Sequence, residues 1–89
     1  MYVIVVPRVA RERPGRAMMV ISQAISRCSC GVSARVGTKK FPAVKDYFDL
    51  EEVFAATCSQ QEGVAIEIIV ETEQEAVKIA EAVVRISYL

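Results

Sequence analysis

Residues 64–70 constrain the fold more tightly than any other stretch of the chain. Val64, Ile66, Ile68 and Val70 alternate along one face, and the other face carries Ala65, Glu67 and Ile69. A strand with apolar residues on both sides belongs inside a sheet, because an edge position or a solvated face would leave them in water. Immediately after it comes Thr72-Glu73-Gln74-Glu75, the spacing of a capping box, in which the Thr72 hydroxyl takes the N3 amide and Glu75 reaches back to the N-cap amide. Ala76, Ile79, Ala80, Val83 and Ile86 then recur at spacings of three and four. Glu71, Glu73, Glu75 and Glu81 crowd the early turns, where the positive end of the helix macrodipole favours them. A central strand feeding an amphipathic helix is the expected closing unit.

The remainder supplies three more strands and two more helices. Tyr2–Val6 is β-branched and bounded by Pro7, which removes a ladder donor and ends a strand. A polar loop over residues 8–15 precedes Ala17, Val20, Ile21, Ala24 and Cys28, one helical face widened by Met18 and Ile25, which predicts a helix over residues 14–28. Gly31 and Gly37 bracket a segment whose Val32, Ala34 and Val36 alternate with polar residues, a half-buried strand. Thr38-Lys39 reads as a turn into a short strand over residues 40–44, whose Pro42 suits an edge. Asp46 is a good N-cap for a second helix, with Leu50, Val53 and Phe54 as its apolar stripe beside Tyr47, ending near Cys58. Gly63 precedes the central strand. The order is β-α-β-β-α-β-α with no repeat or linker, and four strands with amphipathic helices suit a two-layer α/β arrangement.

Eighty-nine residues, 53% of them hydrophobic, suffice for one core, so a single domain over residues 1–89 is the expectation. No apolar run approaches the ~20 residues of a membrane span. The apolar opening has no basic segment before it and no small-residue cleavage site after it, so the expected protein is cytoplasmic rather than secreted. Cys28, Cys30 and Cys58 are an odd number without the spacing of a zinc site or disulfide framework; reduced thiols, no metal and no cofactor are expected. Net charge is zero, yet residues 1–45 carry +8 and residues 46–89 carry −8. Whether the fold mixes or segregates those charges decides whether the surface offers an anion-seeking face.

The element order and its spacing resemble the phosphocarrier protein HPr family along nearly the whole chain. The nearest local matches are the run from Ile66 to Val77, similar to that family's last strand, acidic turn and Ala-rich final helix, and the segment from Lys39 to Asp46, similar to the hairpin before its regulatory serine. The resemblance implies an open-faced sandwich, an antiparallel four-stranded sheet of order 1-4-2-3 with three helices on one face. It also implies a phosphoacceptor histidine in a His-Ala-Arg-Pro-Ala segment at the start of the first helix. This chain has no histidine. The corresponding text is Arg11-Glu12-Arg13-Pro14-Gly15, which puts Arg11 at the acceptor position; a register set by Ala17 to Ala24 puts Arg13 there instead. A guanidinium stays protonated and has no lone pair to offer, so it binds phosphate but cannot attack it.

What survives is the chemistry of an anion site: helix N-terminal amides together with Arg8, Arg11, Arg13 and Arg16. The plainer account of those arginines is a solvated basic loop. Asp46 falls at the regulatory-serine position, where a carboxylate imitates phosphoserine weakly; a simple helix cap explains it without a partner. Tyr47, Phe48 and Leu50 supply the apolar docking anchors that the resemblance implies. Cys28 lies on a helical apolar stripe with no base to activate it, and Glu51 and Glu52, being adjacent, point apart and make a poor acid/base pair. Met18 and Met19 read as core filler, Met19 nearer the edge of the apolar face.

The expectation is a non-catalytic HPr-like regulatory or protein-binding module whose partner is a phosphotransferase-system component or regulator. The alternative is a phosphocarrier working through a non-histidine residue. The basic half lacks the interleaved aromatics of a nucleic-acid stacking platform. The short, apolar first strand is an edge that invites self-association.

Overall fold

Tyr2–Val6 forms the first strand, β1, and Pro7 stops it. The computed structural model describes residues 1–57 and 64–87. A 3-10 turn at Arg8–Arg11 leads to helix α1 at Pro14–Ser26, with Pro14 in the first turn, where its missing amide breaks no helical bond. The helix is shorter than the expected 14–28, because the amides of Arg27 and Cys28 bond to the carbonyls of Ala24 and Ile25, three residues back, and tighten the last turn out of α geometry.

Strands β2, Ser33–Val36, and β3, Lys39–Phe41, form a hairpin in which Val36 faces Lys39 across a two-residue loop. Gly37 has φ 60° and no non-glycine residue among those described has positive φ, the signature of a type II′ turn with glycine first. The turn is therefore Gly37-Thr38, and Lys39 already belongs to β3. Pro42 lies just beyond the strand, which ends at Phe41 rather than Val44. Val44 instead gives its amide to the Val32 carbonyl at 2.8 Å, tying the chain to the start of β2.

Helix α2 occupies Tyr47–Ala56, capped by Asp46, whose Oδ1 accepts the Asp49 amide at 3.0 Å while Asp49 Oδ2 accepts the Lys45 amide at 2.8 Å. It stops at Ala56, where the amide and hydroxyl of Thr57 both donate to the Phe54 carbonyl. Cys58 and Gly63, expected at the helix end and before the next strand, lie outside the described residues. Strand β4, Ile66–Val70, and helix α3, Glu73–Ser87, complete the described chain.

The sheet is open and antiparallel throughout, in the order β1-β4-β2-β3. This is the order that the family resemblance implied. β4 pairs with β1 on one side, Ile68 facing Ile4, and with β2 on the other, Ile68 facing Ala34, which gives it the central place that its two apolar faces demand. Burial alternates along β2 and β4: Ala34, Val36, Ile66, Ile68 and Val70 are buried under the helices, and Ser33, Arg35, Glu67 and Ile69 are half-exposed on the other face. One core gathers Val6, Ile21, Leu50, Val53, Ile68 and Ile79 from all the layers. On the open face Arg35 and Glu67 form a bidentate ion pair at 2.9–3.0 Å between neighbouring strands, joining the basic and acidic halves of the chain.

Candidate binding surface at the start of α1

The sheet register fixes which groups can meet. Val6, Ile66, Val36 and Lys39 lie side by side at one end of the sheet, so the turn at Arg8–Arg11 and the start of α1 lie at that end. β3 runs away from it, and the bond between Val44 and Val32 holds the next loop at the opposite end, where α2 begins. Asp46 and Tyr47 do not line the groove that Arg11 and Pro14 share with α2. The later turns of α2 are the ones that reach it: Arg11, Pro14 and Met18 share an open groove with Glu51, Phe54, Ala55 and Thr57.

The four arginines do not play one part. Arg11 is half-buried and its Nη1 donates to the Val64 carbonyl at 2.8 Å, a contact that clamps the segment entering β4. Its guanidinium is spent at least in part on structure, and Glu51 lines the same groove, so an anion meets a carboxylate there. Arg8, Arg13 and Arg16 are exposed. Arg13 is the N-cap of α1 with no side-chain capping bond, and the first helical amide bond is Ala17 to the Arg13 carbonyl. The amides of Gly15 and Arg16 thus have no described acceptor.

Of the three expected anchors, Phe48 stands 75% exposed, Tyr47 is half-buried, and Leu50 is 0% exposed. Leu50 is a core residue, and its assignment to a docking surface is corrected: it lies on the stripe with Val53 and Phe54 that seats α2 on the core. Phe48, Glu51 and Ala55 recur at helical spacing on the outward face of α2, so the aromatic ring stands one turn from the groove beside Arg11. Asp46 serves as the helix cap.

The two described thiols are poorly placed for chemistry. Cys28 is half-buried with its Sγ donating to the Ala24 carbonyl, and burial, then the nearby Glu75 charge, pushes its pKa up. Cys30 is exposed, and hydrogen bonding with the Glu75 carboxylate pushes its thiol up too. Both are free; Cys58 lies outside the described residues. Met18 packs half-buried against the core, whereas Met19 is exposed.

Sequence reasoning missed the role of Glu75. Its side chain is buried, 2% exposed, and the box with Thr72 is only half formed. The Glu75 amide donates to Thr72 Oγ1 and the Thr72 hydroxyl donates to Glu75 Oε1, but Oε2 accepts the Cys30 amide at 2.9 Å, not the N-cap amide. The glutamate thereby fastens the loop after α1 to the start of α3. The bond to Thr72 and those to Cys30 hold its pKa down against the opposing effect of burial. Nothing in the local spacing shows that Cys30, 45 residues away, occupies the place of the N-cap amide.

No family model matches the chain, and neither a curated protein nor a solved structure resembles it closely enough to assign a relationship.

Proposed function

We propose that this chain is a divergent, non-catalytic HPr-like module that binds a protein partner and does not carry phosphate on histidine. The observation that carries the reading is the pairing of an uncapped, arginine-bearing start of α1 with a neighbouring α2 face from which Phe48 projects. Arg8, Arg13 and Arg16, with the free amides of Gly15 and Arg16, suit an acidic or phosphorylated protein segment; Phe48 suits an apolar anchor beside it. The absence of any histidine and the raised pKa of both described thiols support binding over group transfer. The proposed setting is cytoplasmic, and the proposed partner class is a phosphotransferase-system component or regulator.

Affinity capture from cells of the source organism tests this with three chains: native, Arg13→Glu/Arg16→Glu, and Phe48→Ala, each verified as folded by its thermal melt. Arg11 is left untouched because its bond to Val64 is structural. A partner held by the native chain and lost by both variants supports the reading, and partner lists that do not change refute it. Incubation with phosphoenolpyruvate and the general phosphotransferase enzyme adds no mass to the chain on this reading. A stable phosphate adduct would replace it with a carrier function.

A further inference from the structure

A net charge of zero hides a sorting that the fold produces. Val6, Ile66, Val36 and Lys39 mark one end of the sheet. Six cations gather there: Arg8 and Arg11 in the turn after β1, Arg13 and Arg16 at the start of α1, and Lys39 and Lys40 on β3. The acids described beside them are Glu12 and, in the groove with Arg11, Glu51. Asp46, Asp49, Glu71, Glu73 and Glu75 lie toward the opposite end, where α2 and α3 begin, with Arg27, Lys45 and Lys78. The two ends of the molecule therefore differ in sign.

Most of the basic end is unspent. Arg8, Arg13, Arg16, Lys39 and Lys40 are all exposed, and none of them has an ion pair among the described residues, where the pair is Arg35 with Glu67. Lys39 rests over the Phe41 ring, 5.4 Å from its centre, which steadies the ammonium and leaves it open to an anion from outside. Unpaired cations collected on one surface raise the local potential, which draws and orients an acidic partner.

We propose that Lys39 and Lys40 of the β2–β3 hairpin join the arginines in one basic surface across this end of the sheet, and that its partner is a protein carrying a row of acidic residues. The proposal rests on the protein-binding reading of the start of α1 and extends it to residues on the far edge of the sheet. Arg8 follows one edge strand and Lys39 opens the other, three spacings of about 4.8 Å away, so the cations span about 14 Å. α1, packed against both α2 and α3, brings Arg13 and Arg16 to the same end from the helix layer. One phosphate or carboxylate cannot reach across that span. A partner that does so presents acids over about nine or ten residues of helix, or about four of extended chain.

The charge balance favours a protein over a nucleic acid. A domain that binds a phosphate backbone is basic as a whole, whereas this chain has a pI of about 6.2 and turns acidic away from the one end. The Phe41 ring lies half-buried under Lys39 and is not open for a base to stack on.

Fluorescence anisotropy with labelled poly-L-glutamate as the probe, on the full chain and over a range of salt, tests the proposal; duplex DNA is the comparison. The native chain is expected to bind poly-L-glutamate at low salt and to lose it as salt rises. Lys39→Glu/Lys40→Glu, at two exposed positions and checked for folding by its thermal melt, is expected to weaken binding about tenfold, with Lys39→Gln/Lys40→Gln as the milder second variant. Lys45→Glu, an exposed cation toward the other end, is expected to change it little. If Arg13→Glu/Arg16→Glu weakens binding and both hairpin variants do not, the extension to Lys39 and Lys40 is overturned while the arginine site stands. Absence of binding at low salt, tighter binding to duplex DNA, or an equal loss in Lys45→Glu overturns the proposal outright.

Discussion

Replacing Ile68 by alanine probes the centre of the fold, and the structure sets the size of the effect. Ile68 is 1% exposed on the helix-facing side of β4, between Ile4 on one neighbouring strand and Ala34 on the other. The substitution removes three side-chain carbons, a loss of about 2.4 kcal/mol at roughly 0.8 kcal/mol for each buried methylene. A cavity adds to this, because Ala34 has no atoms with which to fill it and the strand is held on both edges. The expected total is about 3–4 kcal/mol, within the ~2–5 kcal/mol of such truncations.

An 89-residue domain has on the order of 4–13 kcal/mol in all, so the variant folds only marginally if the native chain is at the low end. Urea denaturation followed by circular dichroism measures the loss, with Ile69→Ala as the matched control. Ile69 is the next residue but only partly buried, on the open face, and its truncation is expected to cost about 1.5–2 kcal/mol, with no enclosed cavity to add to it. Thermal melts should fall by roughly 12 °C or more for Ile68→Ala, at about 4–8 °C for each kcal/mol. Equal losses at the two positions, or a loss below about 1.5 kcal/mol at Ile68, would refute the one-sided burial of the sheet on which the argument rests.

Further expectations concern the caps, the turn and the buried carboxylate. Asp46→Ala removes the cap on the Asp49 amide and should cost about 1 kcal/mol, measured by the same urea titration. Gly37→Ala forces a side chain into φ 60° and should cost about 1–2 kcal/mol, with Gly37→Asn costing less. Glu75 has its folded pKa lowered, first by the Thr72 hydrogen bond, so it stabilises the fold when pH is above the unfolded glutamate value. That contribution disappears as pH falls through the folded value, so stability against pH should be flatter in Glu75→Gln than in the native chain. The same substitution removes the carboxylate that raises the Cys30 thiol, so Cys30 should react faster with a thiol reagent at neutral pH. Unchanged reactivity in a variant shown to be folded would disprove that coupling.

Local pattern determined a great deal in this chain. Alternation marked β2 and β4, the 3.6-residue spacing marked α1, α2 and α3, and Asp46 and Thr72 marked two helix starts, because each signal depends on residues within a turn or a strand of one another. The apolar content of both faces of β4 even located it inside the sheet. Boundaries drifted where competing hydrogen bonds lie just outside the periodic stretch, as at Cys28 and at Gly37-Thr38. The candidate surface was less legible, because exposure is a property of the assembled layers. Phe48 and Leu50 were both expected as docking anchors, although the stripe of Leu50, Val53 and Phe54 already set Leu50 on the core side; the packed layers bury it and leave Phe48 exposed. Arg11 and Arg13 are alike in sequence, yet only the return of Val64 from 53 residues away ties down the first and leaves the second free. The sequence carries the local energies that form strands and helices; the closing of the layers, through contacts distant along the chain, decides which of their side chains face the core and which face a partner.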